Sequence, residues 1–148
     1  MKEIERKFLV KDISVIQDCH FDEINQTYLF NEMTKSLRIR IKNDKAFLTI
    51  KGNQVGITRD EFEYEIPKLE ACEMIEKFRL KVLSKKRYYK REGALMWEID
   101  VFEGKLEGLI VAEIELPSEE YSIVRPVWVG EEVTSDTNYL NAELFKKL

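Results

Sequence analysis

Two features are nearly missing from this chain, and both narrow its chemistry. It has two cysteines, Cys19 and Cys72, and one histidine, His20. No CxxC pair or Cys/His cluster exists, so a zinc site or a Cys/His nucleophile lacks material. The cysteines read as small, partly buried thiols. A surplus of basic residues is also absent: 24 Lys and Arg stand against 28 Asp and Glu, a net charge of −4. Both signs are interleaved, which argues against nucleic acid as a partner. No run of about 18 apolar residues occurs, so no membrane span is expected. The opening MKEIERKFLV is charged at once and carries no export signal; together with the free thiols this points to a cytoplasmic protein. No linker, low-complexity tract or repeat breaks the 148 residues, which are read as one domain.

What is present is period-two alternation, the mark of β-strands. It runs through Lys2 to Val10, Lys35 to Ile41, Ala46 to Lys51, Asp60 to Ile66, Lys85 to Lys90, Leu95 to Phe102 and Leu109 to Leu116. Gln26 to Phe30 is a shorter candidate. Asn43-Asp44 and the Gly52 to Gly56 stretch read as turns. Helices are fewer: Pro67 to Phe78, a short one starting at Ser118-Glu119-Glu120, and Asn138 to Leu148 with Leu140, Leu144 and Leu148 at four-residue spacing.

The polar faces of these strands are selective in charge. Glu3, Glu5 and Lys7 share one side; Arg38 and Arg40 share another; Lys85 and Arg87, Glu98 and Asp100, and Glu113 and Glu115 do the same. Glu61 and Glu63 follow Arg59, and Lys51 ends its strand. Next-but-one residues lie about 6.6–7 Å apart on one face. Like charges there repel unless something of opposite sign lies between them. Basic pairs call for a polyanion and acidic pairs for cations, so a metal-chelated polyphosphate satisfies both. Cross-strand salt bridges on a solvated sheet would also account for several pairs.

The ordered series resembles a known family. Glu3-Ile4-Glu5-Arg6-Lys7 is similar to the ExExK signature of CYTH domains, also called triphosphate tunnel metalloenzymes. The likeness continues through Leu37-Arg38-Ile39-Arg40, Leu48-Thr49-Ile50-Lys51-Gly52, Arg59-Asp60-Glu61-Phe62-Glu63 and Lys85-Lys86-Arg87-Tyr88. It ends through Glu98-Ile99-Asp100-Val101-Phe102, Ala112-Glu113-Ile114-Glu115-Leu116 and Gly130-Glu131-Glu132-Val133-Thr134.

The resemblance implies an α+β fold: an antiparallel barrel of about eight strands, open as a tunnel, with helices packed outside. It implies that Lys7, Arg38, Arg40, Lys51, Lys85 and Arg87 hold phosphate oxygens. Glu3, Glu5, Asp100, Glu113 and Glu115 would hold Mg²⁺ or Mn²⁺, since the donors are all oxygen. Arg59, Glu61, Glu63 and Glu98 would be tunnel-wall residues. Glu3 and Glu5 are expected beside the cation that activates water, and Lys85 beside the leaving group. The implied partner is a triphosphate-containing small molecule. Short bacterial inorganic triphosphatases are the best match in length and motifs, then nucleoside triphosphatases, then class IV adenylyl cyclases making cyclic AMP, with thiamine triphosphatases a further alternative. A non-catalytic polyphosphate-binding module and a purely structural β-domain are the rivals from other classes. Packing is expected for Tyr28, Tyr88, Tyr139 and Trp97. The C-terminal helix is expected to cover an opening or to mediate a homodimer.

Overall fold

The computed structural model describes residues 1–148. In chain order the elements are β1 (Lys2–Val10), β2 (Phe21–Asn31), β3 (Ser36–Lys42), β4 (Lys45–Lys51), β5 (Thr58–Ile66), α1 (Lys68–Lys77), β6 (Leu83–Glu92), β7 (Leu95–Phe102), β8 (Ile110–Glu115), β9 (Val129–Glu132) and α2 (Asn141–Phe145). Short 3₁₀ turns lie at Ile13–Ile16, Gly104–Leu106 and Thr137–Tyr139. No helix is long and apolar enough to cross a membrane.

All strand pairings are antiparallel, and eight strands close into a barrel in the order β1-β5-β4-β3-β2-β6-β7-β8, returning to β1. The closing strand works on both edges. One edge of β1 pairs β8, with Glu5 opposite Glu115 and Lys7 opposite Glu113. Its other edge is shared: the first residues pair β5, with Glu3 opposite Arg59, and the last pair β9, with Val10 opposite Val129. Two-residue hairpins join β3 to β4 and β6 to β7. Asn43 takes the left-handed conformation in the first and Gly93 in the second, at φ of 55° and 62°.

Directly opposed residues in an antiparallel ladder project to one side. Register therefore carries the inward face of β1 around the ring: Arg87 lies opposite Asp100, Glu98 opposite Glu113, Lys51 opposite Glu61. The apolar halves of the same strands face outward. Phe8, Trp97, Ile99, Ala112 and Ile114 form one core with Trp128 and Val129, all buried. Ile39 and Ala46 form a second core under Ala71 of α1.

A third cluster sits on the inner face at one end. Phe102 is opposite Lys85, and Val111 is opposite Asp100, so both point into the barrel. They pack with Leu83 and with Leu144 of α2. Helix α1 thus lies on the outside, as expected, while α2 fills part of one barrel end.

Three expectations are corrected. Residues 118–120 form a turn, closed by Tyr121 N–H to the Ser118 carbonyl, not a helix. β-branched Ile123 and Val124, followed by Pro126, oppose helical propagation there. The C-terminal helix is broken at Leu140, whose backbone is extended (ψ 138°), leaving a 3₁₀ turn and the five-residue α2. The Gln26 to Phe30 candidate is the middle of an 11-residue strand whose flanks, Asp22 and Asn25 among them, are polar and hid the pattern.

Outside the barrel, Glu132 accepts from Arg6 Nε at 2.8 Å and Nη2 at 2.6 Å, which ties β9 to β1. The Arg6 hydrogen bonds hold the Glu132 carboxyl below its usual range. A lowered carboxyl contributes stability above its unfolded pKa and loses it as acid protonates the folded form. Thermal unfolding against pH is expected to show this acid loss, and Glu132→Gln to reduce it. Phe8→Ala is expected to cost about 3–5 kcal/mol in urea unfolding, because the ring is wholly buried at the centre of the larger core.

Candidate active site

The inward faces enclose a cavity of about 210 Å³. Strand β1 contributes Glu3, Glu5 and Lys7, and β3 contributes Arg38 and Arg40. Lys51 comes from β4; Arg59, Glu61 and Glu63 come from β5. Arg87, Glu98, Glu113 and Glu115 complete the ring from β6, β7 and β8. With Lys42, the lining holds seven basic and seven acidic side chains.

Equal numbers do not mean that every charge is matched. Lys51 Nζ donates to both oxygens of Glu3 at 2.9 and 3.0 Å and lies 3.2 Å from Glu61. Arg59 lies 3.8 Å from Glu3. Lys7 Nζ donates to the Tyr139 carbonyl at 3.1 Å and lies 3.5 Å from Glu113. Arg87 reaches Glu98 at 3.2 Å and Glu113 at 3.6 Å. Burial would raise the Glu113 carboxyl, but Lys7 and then Arg87 hold it well below the usual range.

Two regions lack partners. On β3, Arg40 Nε donates to the neutral Gln26 amide at 2.8 Å, and no carboxylate lies within ion-pair reach. Burial, then the Arg38 and Arg87 charges, pull its pKa down to about 10. Arg38 donates to Thr49 Oγ1 at 3.1 Å and lies 3.5 Å from Glu63, yet its buried Nε has no acceptor. On β1 and β8, Glu5 and Glu115 are direct cross-strand partners, and neither has a cationic partner. Burial, then Glu113 and Glu3, push the Glu5 carboxyl up to about 8. Burial, then Glu3 and Glu98, also raise Glu115. In the closed ring β3 stands four strands from β8. The Arg40 guanidinium therefore faces the Glu5 and Glu115 carboxyls across one cavity.

The carboxylate side fits a divalent cation of the Mg²⁺ or Mn²⁺ kind. Its donors are all oxygen, and like-charged carboxylates placed side by side call for a cation between them. No three acidic, histidine or cysteine side chains by themselves gather tightly enough to enclose an ion. A cation bound here would draw only part of its shell from the protein and the rest from ligand oxygens and water, as Mg²⁺ sites commonly do.

Lys85 and Asp100 stand apart from the other expected residues. Both are 0% exposed and neither lines the cavity. Lys85 Nζ donates to Asp100 Oδ2 at 2.6 Å and to Asn141 Oδ1 at 3.0 Å. Arg87 takes both oxygens of Asp100, at 2.7 and 2.9 Å. Burial alone would raise Asp100, but Arg87 and then Lys85 hold it below its usual range. With its oxygens committed, Asp100 offers nothing to a metal in this arrangement, and Lys85 is shielded from the cavity.

Five lining residues stand outside the expected set: Tyr28, Ser36, Lys42, Asn141 and Ala142. Lys42 extends the Arg38, Arg40 alternation by one more step and could have been read from it. Tyr28 lies opposite Arg38 across β2 and β3, and register alone reveals that. Asn141 arrives from α2, and no local pattern marks it.

The sequence model of the CYTH domain matches residues 1–147. An inorganic triphosphatase of Acetivibrio thermocellus is 45% identical over 146 residues, covering 98% of this chain and 94% of that protein. An inorganic triphosphatase of Nitrosomonas europaea is 34% identical, covering 97% of each chain. A crystal structure of an inorganic triphosphatase superposes with a TM-score of 0.68 at 32% identity, over 96% of this chain and 93% of that one. A Pyrococcus horikoshii protein shares the fold, with a TM-score of 0.62 at 22% identity over 79% of each chain.

The pairing pattern predicts opposite stability effects at two charged positions. Asp100→Ala leaves buried Lys85 with no carboxylate partner and strips Arg87 of its bidentate one, and is expected to cost about 3–5 kcal/mol in urea unfolding. Arg40→Met removes an unmatched cation and is expected to leave stability unchanged or higher.

Proposed function

The chain belongs to the CYTH domain family, and from that premise we propose that it hydrolyses the terminal phosphoanhydride of inorganic tripolyphosphate with Mg²⁺ or Mn²⁺. One observation carries the reading: the Arg40 guanidinium, which has no carboxylate partner, and the Glu5 and Glu115 carboxyls, which have no cationic one, line a single cavity. A polyanion alone would leave the carboxylates unanswered, and cations alone would leave the arginines unanswered. A polyphosphate with its chelated cation answers both. The two relatives that cover nearly the whole chain are inorganic triphosphatases, which supports the same choice.

Arg38 and Arg40 grip phosphate oxygens through their planar forks, with Lys7, Lys51 and Arg87 adding fixed positive charge. Glu5 and Glu115, assisted by Glu3 and Glu113, would hold the cation. A bound divalent cation neutralises charge on the phosphate oxygens and makes a bound water more acidic. Glu61, Glu63 and Glu98 hold Lys51, Arg38 and Arg87 in place, and Arg59 steadies Glu3. Lys85 and Asp100 act through Arg87, fixing its guanidinium toward the phosphates. Attack and departure are in line, so the site's work is positioning and charge stabilisation.

The lining favours a substrate without a base. Of its 18 residues only Tyr28 and Ala142 are hydrophobic, which leaves almost no apolar surface for a purine or a thiazole. A nucleoside triphosphate would leave its base outside the cavity and gain little from it.

The test is a panel of tripolyphosphate, ATP and thiamine triphosphate, each with Mg²⁺, Mn²⁺ or chelator. Phosphate release is expected to need the cation and to be fastest with tripolyphosphate. Arg40→Ala and Glu5→Ala are each expected to lower kcat/KM by about 10- to 100-fold, the worth of one charge-assisted contact. Cyclic AMP with pyrophosphate from ATP, or turnover indifferent to chelator, would contradict the proposal.

A further inference from the structure

The side-chain amide of Asn141 has its two ends in different surroundings. Its oxygen accepts from Lys85 Nζ at 3.0 Å. An ammonium has donors and no acceptor, so only the oxygen of the amide can face it. That fixes the amide's orientation on chemical grounds. The nitrogen is turned the other way, and no group of the protein accepts from it. Asn141 also lines the charged cavity.

Its backbone is held on both sides. The Ala142 carbonyl accepts from Asn31 Nδ2 at 2.8 Å, pinning the start of α2 to β2. The Tyr139 carbonyl accepts from Lys7 Nζ at 3.1 Å. Phe145 packs edge-on to Tyr28 with ring centroids 5.1 Å apart. The amide is thus preset in place before any ligand arrives.

We propose that the Asn141 Nδ2 amide is a neutral phosphate-binding group, donating to an oxygen of the substrate's polyphosphate. The inference rests on the triphosphate reading of the cavity and adds a binding residue from the C-terminal segment to it. A neutral donor suits this position: it adds grip beside Lys7 and Arg87 without another cation to balance.

The experiment compares wild type, Asn141→Ala and Asn141→Asp. It reads KM and kcat for tripolyphosphate, metal-free tripolyphosphate binding by calorimetry, and thermal unfolding. Asn141→Ala is expected to raise KM and the metal-free Kd about 2- to 10-fold, the worth of one neutral hydrogen bond, with kcat little changed. Asn141→Asp keeps an acceptor for Lys85 but sets an anion where the amide nitrogen was. It is expected to bind more weakly than the Ala variant, by tenfold or more relative to wild type. A merely structural role in holding Lys85 predicts the reverse order, with Asp restoring wild-type binding, and that result overturns the proposal. Should Asn141→Asp fail to fold, an unchanged KM and Kd in folded Asn141→Ala overturns it equally. Wild-type turnover with both variants unchanged sinks this inference alone. Wild type that neither binds nor cleaves tripolyphosphate sinks the triphosphatase reading, and this inference with it.

Discussion

Arg87 lays two nitrogens on the two oxygens of Asp100, at 2.7 and 2.9 Å, and Lys85 adds a third donor at 2.6 Å. This buried cluster sits between two unlike halves of the barrel interior. Beyond it lies the apolar packing of Leu83, Phe102, Val111 and Leu144. Before it lies the charged cavity. Charges in a closed interior are tolerated only when they are paired or wet. The cluster meets the first condition, and its position divides the apolar end of the interior from the charged cavity.

The same rule explains which cavity charges are available for chemistry. Glu3 is tied to Lys51, and Glu113 to Lys7 and Arg87; of the two only Glu113 is held below the usual carboxyl range, while burial raises Glu3 despite Lys51. Arg40, Glu5 and Glu115 have no such ties, and each is held with its pKa displaced toward the neutral form. Such displacement costs folding free energy, and it persists because the closed barrel leaves these side chains no other direction to point. The backbone register enforces the placement: a one-residue slip of β1 would turn Glu3, Glu5 and Lys7 out and bury Ile4 and Phe8 in the cavity. The outer cores around Phe8, Trp97 and Ile39 therefore stabilise the active site indirectly, by making that slip expensive.

Much of this was legible in the sequence because both periods are local. Strands β1, β4 and β7 were readable nearly to the residue, since alternation there is clean. Like charges at alternate positions, such as Arg38 with Arg40, announced an inward face that needed a counter-charged ligand. Three things were not legible. The depth of Lys85 and Asp100 depends on α2 and the plug it forms, and that is a tertiary fact. Asn141 reaches the cavity from a segment with no strand pattern at all. The ends of β2 were hidden because polar residues such as Asp22, Asn25 and Asn31 interrupt the alternation there. In the first two cases the missing information was which side chains meet across the barrel, and spacing along one strand does not carry it.

The central claim is that cation and polyphosphate occupy one cavity together, each answering charges the other leaves unmatched. The most direct measurement is calorimetric binding of tripolyphosphate with and without a non-turnover divalent cation such as Ca²⁺, and of the cation with and without tripolyphosphate. The account predicts that each ligand tightens the other by the same factor, as linkage requires, and that Glu5→Gln or Arg40→Gln reduces that factor. Tripolyphosphate and cation that bind with affinities independent of one another would contradict it.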